Sequence, residues 1–238
     1  MELGWAFRVP DHRHDDVPCK DPAVRCQIER KLGHEAAQDR LLTCGTPSPA
    51  ETQPDSSTRS LWIEAQEIWD RCQDERPFRA FVAADYEEVY RALARLQGRL
   101  TTVLEWGSGL GVVTIMASNL GFEAYGIESE PHLVDLSRRL AHKYGPGARF
   151  VTGSFIPREY QWNPETADEA FRSDVDAEPA YDDLDMELRD FDLVYAFPWP
   201  DEQLLCRDIL RQCARKNSLF LTYEALEGCL LRFVRDRD

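Results

Sequence analysis

Three glycines alternate with other residues in Glu105-Trp106-Gly107-Ser108-Gly109-Leu110-Gly111, and a carboxylate heads the run. Glycine takes positive φ at little steric cost and lets a ligand approach bare backbone. The apolar pair Val103-Leu104 precedes the run and an apolar helical pattern from Val112 follows it. That context, a strand turning into a helix, is the one in which a glycine-rich loop binds ligands. Dinucleotide loops use G-x-G-x-x-G and set a helix N-terminus against pyrophosphate. Here the spacing is E-x-G-x-G-x-G. A carboxylate at Glu105 repels a pyrophosphate and favours a ligand bearing an ammonium or sulfonium charge.

A second acid, Glu128, closes the next apolar run, Tyr125-Gly126-Ile127-Glu128, before Ser129-Glu130-Pro131. An acid at the end of a second strand is placed to accept hydrogen bonds from both hydroxyls of a ribose. Glu130 lies past the strand end, so Glu128 is preferred. A ribose-bearing ligand with positive charge and no phosphate satisfies both acids. S-adenosylmethionine is such a ligand.

These side chains need elements to hold them, and the sequence supplies an alternation. Helices are expected at 61–69, with Ser60 as N-cap, and at 83–96, where Val89, Leu93 and Leu96 recur at helical spacing. Strands at 101–106, 124–128, 150–152, 192–197 and 219–223 then alternate with helices at 112–120, 131–143 and 201–214. Pro131 suits a first helical turn. Near-continuous apolar strands between helices predict an α/β fold: a Rossmann-like, mostly parallel sheet with helices on both faces. Residues 229–234 leave room for a sixth strand only, so the C-terminal end is abbreviated. Cys206 and Cys213 fall in a helical stretch and read as core.

Two segments break the pattern. Residues 1–58 are poor in apolar residues and rich in turn formers, apart from a thin amphipathic stripe over 23–42, and read as a loosely ordered extension of a domain spanning 59–238. Residues 156–190 carry an acidic excess, as in Asp174-Val175-Asp176 and Asp182-Asp183-Leu184-Asp185. This insertion is expected to be either a cation-attracting lid beside the active face or a solvated loop.

A formal net charge of −15 argues against an extended nucleic-acid surface. It suits a small neutral or cationic substrate, or a basic protein segment. No stretch nears the roughly 20 apolar residues of a membrane span, and the first eight residues lack the apolar run of a secretion signal, so a cytoplasmic location is expected. The seven cysteines are odd in number and form no C-x-x-C. Neither a disulfide framework nor a metal site is therefore expected, and His12, His14, Cys19 and Cys26 match no ligand spacing.

From Thr101 to Tyr223 the chain resembles the class I S-adenosylmethionine-dependent methyltransferase superfamily. The resemblance implies S-adenosylmethionine as cofactor, held by Glu105, Gly107, Ser108, Gly109, Gly111 and Glu128. It implies an adenine contact after the third strand, where Ser154 and Phe155 stand. It also places the transferring methyl at the end of the fourth strand, in Tyr195-Ala196-Phe197-Pro198-Trp199-Pro200-Asp201. That segment is loosely similar to the N-P-P-[YF] segment of amino-methylating enzymes. Phe197 replaces the amide residue, however, so their mechanism does not transfer. Trp199 offers an aromatic wall for a cation, and Tyr195, Asp201 and Tyr223 are candidate bases. The short N-terminal helices and Phe81-Val82-Ala83-Ala84-Asp85-Tyr86 look like those of compact protein-lysine methyltransferases, which nominates Asp85 and Tyr86 as cofactor contacts. The abbreviated end keeps a second reading open, a non-catalytic domain that binds the cofactor or a partner. A third, a nicotinamide oxidoreductase, is disfavoured by the glycine spacing.

Overall fold

The computed structural model describes residues 53–78, 81–162, 177–224 and 228–234. The expectations for the helix at 23–42, for His12, His14, Cys19 and Cys26, and for the acidic run around Asp174 lie outside the described residues.

Helix α1 spans Ser56–Cys72. Its N-cap is Asp55, whose carboxylate accepts from the Thr58 backbone N–H, and not Ser60. Asp55 meets N–H groups of the first turn that have no helical partner, whereas five residues further in, at Ser60, the N–H groups already have one. Leu61 and Ile68 face the core, whereas Ile63 is exposed. Helix α2, Tyr86–Ala94, starts three residues later than the apolar spacing suggests, because Asp85 caps it by accepting from Glu88 N–H.

Strands β1 (Thr102–Trp106), β2 (Glu123–Glu128), β3 (Arg149–Thr152), β4 (Leu193–Ala196) and β5 (Leu219–Glu224) pair in parallel, in the order β3-β2-β1-β4-β5. β6 (Gly228–Phe233) adds antiparallel to β5 at the edge. Helices α3 (Val112–Asn119) and α4 (Pro131–Tyr144) connect β1, β2 and β3 in turn, and α6 (Gln203–Cys213) connects β4 to β5. The fold is thus Rossmann-like. After β3 the chain returns to place β4 beside β1, so strand order reverses between β1 and β4. Ligands of open α/β sheets bind outside the carboxyl ends of the strands at such a reversal.

Side chains alternate across a strand, so Val103 and Glu105 share one face of β1 while Leu104 and Trp106 share the other. The first face packs under α1, α2, α3 and α4, and contributes Val103, Ala124, Phe150, Leu193 and Tyr195 to one core. α3 is apolar almost all round because it lies between the sheet and other helices, and Trp62 of α1 reaches its Met116 sulfur at 3.0 Å.

The second face packs under α6 and the described flanks of the 156–190 insertion. Ile156, Tyr160, Ala180, Tyr181, Leu184 and Leu188 are all buried there, and 181–184 form a short helix, α5. The described flanks thus cover the second face of the sheet between β3 and β4. Two observations fix them. The Tyr160 hydroxyl donates to Asp208 of α6 at 2.9 Å, and Ser154 forms a parallel bridge with Pro179. Cys206 and Cys213 are buried core residues of α6, as expected.

Candidate functional site

Strand register assembles the site. On the first face, Phe150, Gly126, Glu105, Tyr195 and Leu221 are successive cross-strand partners from β3 to β5. One row further toward the carboxyl ends, Glu128 partners Thr152, and Tyr223 partners Cys229. The two acids thus stand on the same face of adjacent strands, Glu105 one row deeper than Glu128. Gly126 leaves the space between them. A Cβ there would lie 2.7 Å from the Phe150 ring and 2.9 Å from Ser108 Cβ, so Phe150 and Ser108 fill the gap.

Gly107, Gly109 and Gly111 all adopt positive φ, at 64°, 52° and 71°. This is the left-handed region that side-chain-bearing residues rarely enter, and it explains the alternating spacing. The bend turns the Gly109 N–H toward Glu128. Gly109 N–H donates to Glu128 Oε2 at 2.8 Å, while Glu130 N–H donates to Glu128 Oε1 at 2.9 Å. Glu130 itself caps α4 through His132 N–H, which leaves Glu128 as the acid at the strand end.

Glu105 is 5% exposed. Its Oε2 accepts from the Thr114 backbone N–H at 2.8 Å and from the Thr114 hydroxyl at 2.5 Å. Because the N-cap of α3 is Gly111, which has no side chain to offer, Glu105 supplies the capping oxygen from the strand. Among the described residues, Oε1 receives no hydrogen bond. Burial pushes the Glu105 carboxyl up to about 8, against the pull of the Thr114 bonds, with a smaller upward push from Glu128. Burial likewise raises Glu128, opposed by its backbone donors. Neither acid is hydrogen-bonded by a Lys or Arg among the described residues.

The other expected site residues divide. Tyr86 lies close enough to Glu105 for the carboxylate to add to the effect of burial in raising its phenol. Asp85 is exposed and engaged as the cap of α2. The same segment contributes a residue that sequence reasoning passed over. A Cβ on Gly109 would lie 2.3 Å from the Phe81 ring, so Phe81 covers the middle of the glycine loop. Its position four residues before Asp85 was a signal, but nothing in the sequence says which way the ring turns.

Ser154 is buried, its hydroxyl accepting from Ile156 N–H at 3.2 Å and its backbone pairing with Glu178 and Ala180. Phe155 stacks on Trp106 with ring centroids 4.9 Å apart, which leaves at most one ring face for a ligand. At the end of β4, Phe197 meets Tyr223 edge-to-face at 5.0 Å. Trp199 is partly exposed and Asp201 exposed.

Burial, and then Glu105, hold the Tyr195 phenol well above its ordinary value. Tyr223 is also raised, first by burial. Tyr195 is 2% exposed, and its hydroxyl and Ser108 Oγ are the buried side-chain oxygens that lack a hydrogen-bond partner among the described residues. Buried oxygens are normally paired, and an exception calls for a ligand or another explanation.

A separate cleft of about 470 Å³ lies along β3, lined by residues including Tyr125, Arg138, Arg149 and Asp183. Its guanidiniums are already engaged: Arg138 donates to Phe150 O at 2.9 Å and Arg149 sits over the Tyr125 ring. The glycine loop and its two acids are not among the residues lining it.

No protein-family model matches the chain, and no curated protein matches it. Several solved structures are similar to it. An RNA methyltransferase from Salinibacter ruber in complex with S-adenosyl-L-homocysteine is 16% identical, with a TM-score of 0.46 over 66% of this chain and 95% of that one. The S-adenosylhomocysteine-bound methyltransferase PaMTH1 from Podospora anserina is 13% identical, with a TM-score of 0.46 over 88% of this chain and 73% of that one. The CcbJ methyltransferase from Streptomyces caelestis is 20% identical, with a TM-score of 0.39 over 65% of this chain and 54% of that one. Among the described residues, no helix is long and apolar enough to cross a membrane.

Proposed function

We propose that residues 59–238 form an S-adenosylmethionine-dependent methyltransferase domain whose acceptor is a small molecule or an amine of a basic protein segment. One observation carries this reading. Glu128 binds the glycine loop through Gly109 N–H at 2.8 Å, with Glu105 one row deeper on the same face. A pyrophosphate placed there would meet both acids at close range in a site of low dielectric, with no positive charge of its own to offset them. A neutral ribose and an amino-acid end that brings its own ammonium avoid that cost.

In this reading Glu128 receives the ribose hydroxyls on its remaining lone pairs, since each carboxylate oxygen can accept more than one bond. Ser108, Gly107, Gly109 and Gly111 shape the backbone against the ligand, Glu105 faces its ammonium, and Tyr86 and Phe81 close the near wall. Ser154 and Phe155 border the adenine end, with Asp85 at the rim. The cofactor supplies an activated methyl group on a sulfonium. The chain supplies position, which is a large share of catalysis in an in-line displacement. Phe197, Trp199 and Tyr223 border the acceptor side. Asp201 is exposed, and both tyrosines in this region are held protonated, which suits an acceptor that arrives already deprotonated.

The raised phenols of Tyr195 and Tyr223, two of the three candidate bases, also favour a second reading, a domain that binds the cofactor without transferring its methyl. Calorimetric titration with S-adenosylhomocysteine tests the shared premise. We expect clear binding to the native chain and a loss of about 1–3 kcal/mol in Glu128→Ala, from unpaired ribose hydroxyls and a released loop. Binding of NAD in its place would overturn the reading. Transfer of a labelled methyl group to a lysate component separates enzyme from binding module.

A further inference from the structure

We propose that the Tyr195 hydroxyl is a positioning donor for the amino-acid end of the bound nucleoside, binding its α-carboxylate beside Glu105. The inference rests on the cofactor reading above and adds a residue whose role there is not catalytic.

Three observations converge on it. Tyr195 and Glu105 are direct register partners, and they belong to β4 and β1, the strands between which the sheet order reverses. Both side chains therefore emerge on the same face, from strands about 5 Å apart, at the place where open α/β sheets receive ligands. Second, Tyr195 is 2% exposed, and its hydroxyl has no hydrogen-bond partner among the described residues. A buried hydroxyl without a partner costs stability, so phenylalanine would serve the ligand-free fold better. Third, burial first, and then Glu105, the Cys229 thiol, Tyr86 and Tyr223, disfavour its ionisation. It is thus kept as a neutral O–H donor.

An amino-acid end carries an ammonium and a carboxylate on one carbon. With the ammonium at Glu105, the carboxylate falls next to it and needs a donor. Tyr195, in the neighbouring position, has one to give. Glu105 alone would attract the ammonium and repel the carboxylate.

The test compares S-adenosylhomocysteine with 5′-methylthioadenosine, which keeps the nucleoside and lacks the amino-acid end. Both are titrated calorimetrically into the native chain and into Tyr195→Phe, and the thermal unfolding of each protein is measured without ligand. We expect the variant to bind S-adenosylhomocysteine about tenfold more weakly, methylthioadenosine as well as the native chain does, and to unfold at the same or a higher temperature. Unchanged affinity for S-adenosylhomocysteine overturns the proposal. So does an equal loss for both ligands, which would make Tyr195 a support of the whole pocket, or a lower melting temperature, which would show the hydroxyl bonded within the protein. If the native chain binds neither ligand, the cofactor reading itself fails, and the role of Tyr195 with it.

Discussion

The two faces of the sheet each bury an acid, and they treat it in opposite ways. Asp208, on α6 over the second face, is 1% exposed and saturated with partners. Arg211 pairs with one oxygen, while the Tyr160 hydroxyl and Gln212 donate to the other at 2.9 and 2.8 Å. Glu105, on the first face, is 5% exposed and has Thr114 as its donor, and its neighbour Tyr195 keeps a hydroxyl with no partner among the described residues. The chain is thus able to satisfy a buried carboxylate completely, and does so where the carboxylate joins α6 to the insertion. A fold under no other demand would have done the same on both faces. The difference marks the first as a place where capacity is left for something else.

The comparison breaks at Asp208 first. Asp208→Ala removes the acceptor shared by Tyr160, Gln212 and Arg211, and should cost about 3 kcal/mol in denaturant unfolding, at the low end for a buried pair because Arg211 is 35% exposed and Gln212 keeps its bonds to Gln161. Affinity for S-adenosylhomocysteine should be unchanged in the variant that remains folded.

Glu105→Gln should act in the reverse sense. It keeps an oxygen for Thr114, so melting temperature should not fall, but ligand affinity should drop by about 2 kcal/mol, the scale of a hydrogen bond to a charged group. A large loss of stability without loss of affinity would reassign Glu105 to helix capping alone.

Proton linkage sharpens the contrast. With its carboxyl held up to about 8 in the fold, Glu105 keeps a proton that the unfolded chain releases from about 4.5 upward. The folded state then binds more protons across that interval, so the Glu105 contribution to stability is lost as pH rises from 4.5 to 8 and levels off above. A cationic ligand should drive the proton off, and titration near pH 7 in buffers of different ionisation enthalpy should reveal its release. Glu105→Gln should abolish both effects.

The smallest effect is expected at Gly109→Ala. A side chain at φ 52° is strained, and the Phe81 ring must shift to admit it, so a loss of about 1–2 kcal/mol is expected in thermal unfolding.

Much of the fold was legible because apolar runs of strand length alternate with helical periods, and Pro131 and the glycine run mark where helices start. The acid at Glu128 was legible for the same reason: it ends a strand. What escaped was whatever depends on two distant segments meeting. The Tyr160–Asp208 bond spans 48 residues, so no local pattern showed that the described flanks of the insertion cover the sheet. The Glu105–Tyr195 pairing follows from β4 returning beside β1, which no local spacing records. Phe150 beneath Gly126 and Gly111, and Phe81 over Gly109, complete the loop from outside its motif. Asp55 displaced Ser60 as a cap because α1 runs one turn beyond its apolar stripe.

A crystal structure with S-adenosylhomocysteine bound bears most directly on the central claim. The account predicts ribose hydroxyls within about 3.2 Å of the Glu128 carboxylate and the nucleoside lying along 107–111. A nucleoside bound elsewhere, with Glu128 still satisfied by Gly109, Ser129 and Glu130 alone, would contradict it.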